Sequence, residues 1–297
     1  MRTSIPLACL TLAALALAPA CTSSLDLDRF KQEAATVQSP ASASAFGDLS
    51  FACKTMLPHI NEYFEVRVVD KDDVVKAKVV YDSLVSPDFS FELAQIIPKS
   101  NPPYRLDFWA DQNGSFTYSG NKGSVDEKDH GWRRTLENPL QPEAPPLPPN
   151  VVPFTDGRYA LTFVHDTDFT DLFTNAAGAP VSFEDTLLGF NASIIGADAF
   201  VGKMIELRVT EPLTRRLVGV HRKGRAQATY KPQILGILDE QTPYEVAIYV
   251  DQDGDQRYAA GEPSWVLTLT STADGIVEEI DLAKLPQTPL PTAARTP

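Results

Sequence analysis

The chain has 297 residues, with 26 Lys and Arg against 39 Asp and Glu, a net charge of −13 and three cysteines. The acidic balance excludes a nucleic-acid partner, which would need a basic face. The length supports a sizeable core and room for two domains, and no segment after the N-terminus is apolar for long enough to form a membrane-spanning helix.

The N-terminus reads MRTSIPLACLTLAALALAPACTSS. One positive charge, Arg2, precedes an apolar run from Ile5 to Leu17 that ends in small residues, the pattern of a signal peptide over residues 1–20. Ala18-Pro19-Ala20 followed by Cys21 resembles a bacterial lipobox, with Leu17 one place early. The resemblance implies lipidation at Cys21, export and attachment to a membrane through lipid. Thr22 after the cysteine resembles the outer-membrane sorting pattern, which implies an outer-membrane or cell-surface lipoprotein, facing the periplasm in one variant. Plain secretion is the simpler alternative. Cys9 leaves with the signal and Cys21 would carry lipid, so Cys53 is left alone and no internal disulfide can form. Residues 21–45, rich in Ser and Ala towards their end, read as a tether.

The remainder divides into two similar halves. FEVRVVD (Phe64–Asp70) matches IELRVTE (Ile205–Glu211) at an offset of 141, and YRLDFWADQNG (Tyr104–Gly114) matches YEVAIYVDQDG (Tyr244–Gly254) at 140. Trp132 and Trp265 follow in the same order, as do DGRYALTF from Asp156 and DGIVEEIDL from Asp274. Within each half the apolar period is two: Phe64, Val66 and Val68 alternate with Glu65 and Arg67, which is a strand with one face on a core. Further strands are expected at Leu49–Met56, Val74–Val80, Phe89–Leu93, Trp132–Leu136 and Tyr159–Val164. The second half offers Leu188–Ile195, Leu217–Val220, Val266–Thr270 and Ile276–Leu282. About seven short strands per half, with almost no amphipathic helical pattern, predict an all-β protein of two tandem antiparallel β-sandwich domains, Ig-like or transthyretin-like. The expected bounds are 46–166 and 181–283, with a linker at 167–180. A Pro-rich tail at 284–297 is expected not to fold.

Numbered from Asp251, the stretch DQDGDQRYAAGE places Asp251, Asp253 and Asp255 at positions 1, 3 and 5, the Arg257 carbonyl at 7 and Glu262 at 12. Ca²⁺ takes six to eight hard oxygens, and alternate positions of a tight loop converge on one point. Gln256 stands where Gly is expected, so the turn must be made by a residue that resists it. The stretch resembles the D-x-[DN]-x-[DN]-G-type loops of B-type repeats in bacterial surface adhesins, and that resemblance implies Ca²⁺ binding. The first half offers a weaker counterpart in Asp111, Asn113 and Ser115, with a further carboxylate from Asp126, Glu127 or Asp129. A polar turn is the alternative for both.

His59 and His130 lie outside the expected strands of the first half, where one end of a sandwich can bring them together. With or without Asp129, they form a candidate transition-metal pair. Trp109 and Tyr249 point away from the cores by alternation, which suggests a glycan-binding or glycan-processing surface. Cys53 falls within a strand and reads as a small buried residue. No nucleophile elbow, H-E-x-x-H or P-loop is present, so no catalytic residue is assigned and the chain is read as a non-enzyme. The leading expectation is a non-catalytic cell-envelope lipoprotein with Ca²⁺-stabilised loops, binding an unidentified protein or glycan or serving a structural role. A periplasmic transition-metal protein using His59 and His130 is the first alternative, and the glycan surface the second.

Overall fold

The computed structural model describes residues 45–98, 103–118, 129–136, 158–165, 185, 187–256, 258, 259 and 261–290. The expected signal peptide, Cys21, the linker at 167–180, Asp126, Glu127 and Arg257 lie outside them.

The protein is all-β. The first half supplies β1 (Phe46–Lys54), β2 (Tyr63–Val69), β3 (Val75–Tyr81), β4 (Phe89–Pro98), β5 (Tyr104–Asp111), β6 (His130–Leu136) and β7 (Arg158–Val164). The second supplies β8 (Leu188–Ile195), β9 (Met204–Thr210), β10 (Leu217–Lys223), β11 (Gln233–Leu238), β12 (Pro243–Asp251), β13 (Ser264–Thr270) and β14 (Ile276–Asp281). Most lie where alternation predicts them. Gln233–Leu238 does not, because a bulge around Gly236, at φ +68°, breaks its period of two.

Pairing repeats strand for strand. β1 pairs with β4 and β7, and β8 with β11 and β14, giving two three-stranded sheets. The order β6-β5-β2-β3 in the first half matches β13-β12-β9-β10 in the second. Tyr104 and Tyr244 hold equivalent places near the start of β5 and β12, and both are fully buried. The expectation of purely antiparallel sheets is corrected at three places. β1–β7 and β8–β14 are parallel, and so is β3–β10, which joins the two four-stranded sheets into one of eight strands.

That junction also sets where the cores sit. Val79 and Leu217 belong to the first core, whereas their chain neighbours Val80 and Val218 belong to the second. Successive residues on a strand point to opposite faces. The two three-stranded sheets therefore cover opposite faces of the eight-stranded sheet, each over its own half. Residues 44–297 form one compact unit.

Part of the tail expected not to fold is docked. Leu290 is buried against Ala247 and Tyr249, and Thr288 exchanges hydrogen bonds with Ser264. Two prolines do not prevent this, because the segment is held through Thr288 and Leu290 rather than through a strand ladder.

Candidate metal centre

β1 and β7 run parallel with Lys54 opposite Val164, so their C-terminal ends lie together. From the end of β1 the chain makes a short 3-10 turn, Leu57–His59, with Pro58 in its first turn. His165 directly follows β7. β6 begins with His130, opposite Ala110 at the far end of β5. One end of the first half thus collects three imidazoles from three separate elements.

Their ring nitrogens converge. His59 Nε2 lies 3.2 Å from His165 Nε2 and 3.3 Å from His130 Nδ1. All three ligand atoms fall within 4.8 Å of one another. Nitrogens held about 2.0–2.1 Å from a tetrahedral metal are separated by about 3.3–3.4 Å, close to the two distances from His59 Nε2. His59 is 1% exposed and His165 7%, while His130 is half-buried, so the cluster opens on the His130 side. The Trp132 ring borders all three, with centroids 5.6 Å from His59, 6.2 Å from His130 and 5.7 Å from His165.

Hydrogen bonding fixes the roles at His59. Its Nδ1 lies 2.7 Å from Glu62 Oε2, and because a carboxylate only accepts, Nδ1 carries the proton. Nε2 of the neutral ring then offers one in-plane lone pair, which cannot accept from His130 and His165 together. A cation would resolve the conflict by taking a lone pair from each ring. The Glu62–His59 contact would then be the outer-shell carboxylate that orients a metal-bound imidazole.

The second half does without this chemistry. By strand register, Phe200, Pro263 and Leu282 stand where His59, His130 and His165 stand in the first half. Phe200 packs edge-on against Trp265 at 5.8 Å, just as His59 packs against Trp132. The fold closes this end with apolar side chains, so the histidines are not needed for packing. Sequence reading pairs His59 with His130 but misses His165. The parallel pairing of β7 with β1, which brings His165 to this end, is not written in the local pattern. The signal was the residue after a strand, with Leu282 at the matching place.

The acidic loops divide differently. Ligand atoms of Asp251, Asp253 and Asp255 converge within 4.8 Å. Glu262 does not join them: its oxygens accept from Gln252 N at 2.6 Å and Ala259 N at 2.8 Å, tying the base of the loop. Asp251 also spends both oxygens on backbone, accepting from Gly254 N at 2.6 Å and Gln256 N at 2.8 Å. Gln256 adopts φ +64°, the turn that glycine would have made cheaply. The first loop copies this scheme. Asp111 accepts from Ser115 N and Phe116 N, Phe116 takes φ +57°, and Asp129 accepts from Gln112 N as Glu262 does from Gln252 N. Asn113 caps Ser115 N, and the Ser115 hydroxyl donates to Thr117 O. In both loops carboxylates cap amides of the loop itself.

The remaining candidates are enclosed. Cys53 is 1% exposed, and burial pushes its thiol well above the usual range, which makes it unreactive. Trp109 and Tyr249 do leave the cores, but each is covered: Trp109 by Tyr63 and Tyr118, Tyr249 by Tyr258 and the tail at Leu290. Neither presents a ring face to solvent as a sugar platform would.

No family model matches the sequence, and no curated protein matches it. Among solved structures, a Parabacteroides distasonis ATCC 8503 protein, provisionally named a cell adhesion protein, aligns over 83% of this chain and 91% of its own. The TM-score is 0.23 and the identity 10%, a likeness too low to bear on fold or function.

Proposed function

We propose that this is an exported, non-catalytic protein that binds one divalent transition metal through His59, His130 and His165. The observation that carries the reading is the convergence of three imidazole nitrogens, with His59 at tetrahedral-edge distance from the other two, at a place that the second half fills with Phe200, Pro263 and Leu282. Imidazole donors suit zinc and copper and serve calcium poorly. Three neutral ligands leave the metal its full positive charge, so a water or an anion completes the shell on the half-exposed His130 side. Export and lipid attachment at Cys21 rest on the N-terminal sequence, and the surface or periplasmic placement follows from them. In this reading the two halves are tandem sandwiches of one ancestral module, of which only the first has acquired a metal centre.

Titration of the purified full chain with Zn²⁺ or Cu²⁺, followed calorimetrically, should show one equivalent bound. His165→Ala should weaken binding by more than tenfold, in line with the loss of one of three ligands. No heat, or heat unchanged in His165→Ala, would overturn the reading. Because each imidazole must be unprotonated to ligate, affinity should fall as pH drops through the histidine range.

A second reading is favoured by one observation, the convergence of Asp251, Asp253 and Asp255. In it Ca²⁺ occupies that loop and neutralises like charges held close together. The same calorimetry with Ca²⁺ separates the two, since Asp253→Ala would remove calcium heat and leave zinc heat intact.

A further inference from the structure

The turn that carries His59 is built the same way in both halves. In the first, Glu62 N donates to His59 O, Asn61 N to Leu84 O at 2.8 Å and Leu84 N to Glu62 O at 2.9 Å. In the second, Lys203 N donates to Phe200 O, Gly202 N to Ala226 O at 2.9 Å and Ala226 N to Lys203 O at 2.7 Å. Glu62 thus stands where Lys203 does, as His59 stands where Phe200 does. Lys203 Nζ reaches Gln252 O at 2.7 Å, whereas Glu62 Oε2 turns to His59 Nδ1 at the same distance. Acid and imidazole come as a pair in an otherwise matching turn, which ties Glu62 to the histidines rather than to the fold.

The same turn is strained only in the first half. Gly196 and Gly202 take φ +76° and +84° around the second turn, but Thr55 and Asn61 hold φ +61° and +70° at the matching places. A residue with a side chain keeps such a conformation only where its surroundings hold it. Residues 82–88 do the holding. Besides the Leu84 bonds, Pro87 O accepts from Met56 N at 2.9 Å and Asp88 Oδ1 from Thr55 N at 2.9 Å, so one segment pins the turn at both ends. Leu84 is buried in the first core, but the segment is also fastened to the second half. Asp82 N donates to Arg222 O at 2.9 Å, and the Asp82 carboxylate pairs with Lys223. Val85 lies over Gly224, where a Cβ would meet Val85 Cγ1 at 2.5 Å. A cleft of about 290 Å³ between Ser83–Ser86 and Gly202–Met204 leaves the segment room to move.

We propose that Glu62 is a positioning residue of the metal centre, and that the second half, which gives none of the three imidazoles, sets its place through residues 82–88. A carboxylate on the far nitrogen of a metal-bound imidazole fixes the ring and makes it a stronger donor. Displacing Val85 from the Gly224 side moves its neighbour Leu84, and Leu84 carries the backbone of Asn61 and Glu62 with it. The proposal rests on the three-histidine reading.

Zinc calorimetry on the full chain tests it. Glu62→Ala should weaken binding about tenfold or more, and Glu62→Gln, which can still accept from Nδ1, should recover part of the loss. Gly224→Ala should weaken binding roughly fivefold from outside the centre. The atoms nearest the added methyl all belong to Val85, so Val85→Ala in the same chain should restore affinity. Lys223→Met, which removes the ion pair with Asp82, should weaken binding several-fold and serves if Gly224→Ala fails to fold. A purely structural role would lower the melting temperature and leave zinc affinity unchanged. Absence of zinc heat in the parent chain would overturn the three-histidine reading and this proposal with it. Parent-like affinity in a folded Glu62→Ala, Gly224→Ala or Lys223→Met chain, or a Gly224→Ala loss that Val85→Ala does not reverse, would overturn this proposal alone.

Discussion

At the scale of single residues, two histidines sit in opposite surroundings. His165 faces other ring nitrogens at the open end of the first half, whereas His221 is fully enclosed, with Nδ1 2.6 Å from Tyr230 Oη. Burial, the largest influence, lowers the His221 pKa to about 4. Above about pH 6.5 the ring is neutral in both folded and unfolded chains and contributes no pH dependence. Between about 6.5 and 4 the unfolded chain binds a proton that the folded chain refuses, so stability falls as pH falls. The loss across that window is about 3 kcal/mol, from 1.36 kcal/mol per pKa unit. Thermal melts at pH 7 and pH 4.5 should therefore show a smaller pH-induced drop in Tm for His221→Asn than for the parent chain. An equal drop would mean that His221 is not the group responsible. What the sequence conveyed at this scale was residue type. It made His59 and His130 candidates, but which imidazoles meet depends on strand direction, and that is not written in any local pattern.

At the scale of elements, the period of two placed nearly every strand, because a half-buried strand must alternate. It failed at Gln233–Leu238, where the chain bulges, and it was silent on direction at β1–β7 and β8–β14. Parallel pairing there depends on where the chain re-enters after long connections. Gly275 shows how closely paired strands of one sheet approach each other. It holds φ +84° in the turn before β14, and a Cβ would lie 2.2 Å from the backbone oxygen of Gly189 in β8. A backbone atom cannot step aside as a flexible side chain can. Gly275→Ala should therefore destabilise the protein by roughly 3 kcal/mol or more, combining the left-handed conformation with overpacking. Denaturant melts would check this, and a cost below about 1 kcal/mol would show that β14 can shift away from β8. The acidic loops teach a complementary lesson. Their spacing fits a calcium ligand set, yet the same Asp residues suit the amides of a tight turn, and Glu262 serves the second purpose.

At the scale of the whole molecule, duplication was legible in the matched fragments, but the joining of the copies was not. β3 and β10 pair side by side from Lys78–Gly219 to Tyr81–Arg222, and each carries side chains into both cores. Neither half can lose its sheet without exposing an edge and an apolar face of the other. Unfolding followed by tryptophan fluorescence, which reports Trp109 and Trp132 in the first half and Trp265 in the second, should give one cooperative transition. That transition should coincide with the one seen by circular dichroism. Two resolved transitions would show that the halves are thermodynamically separate despite their shared sheet.

The claim on which the functional reading rests is that three imidazoles hold one metal. X-ray absorption on the zinc-loaded full chain tests it directly. The account predicts a first shell at about 2.0–2.1 Å with the outer scattering of three histidine rings, falling to two in His165→Ala. A shell of oxygens alone, or a spectrum unchanged by His165→Ala, would contradict it.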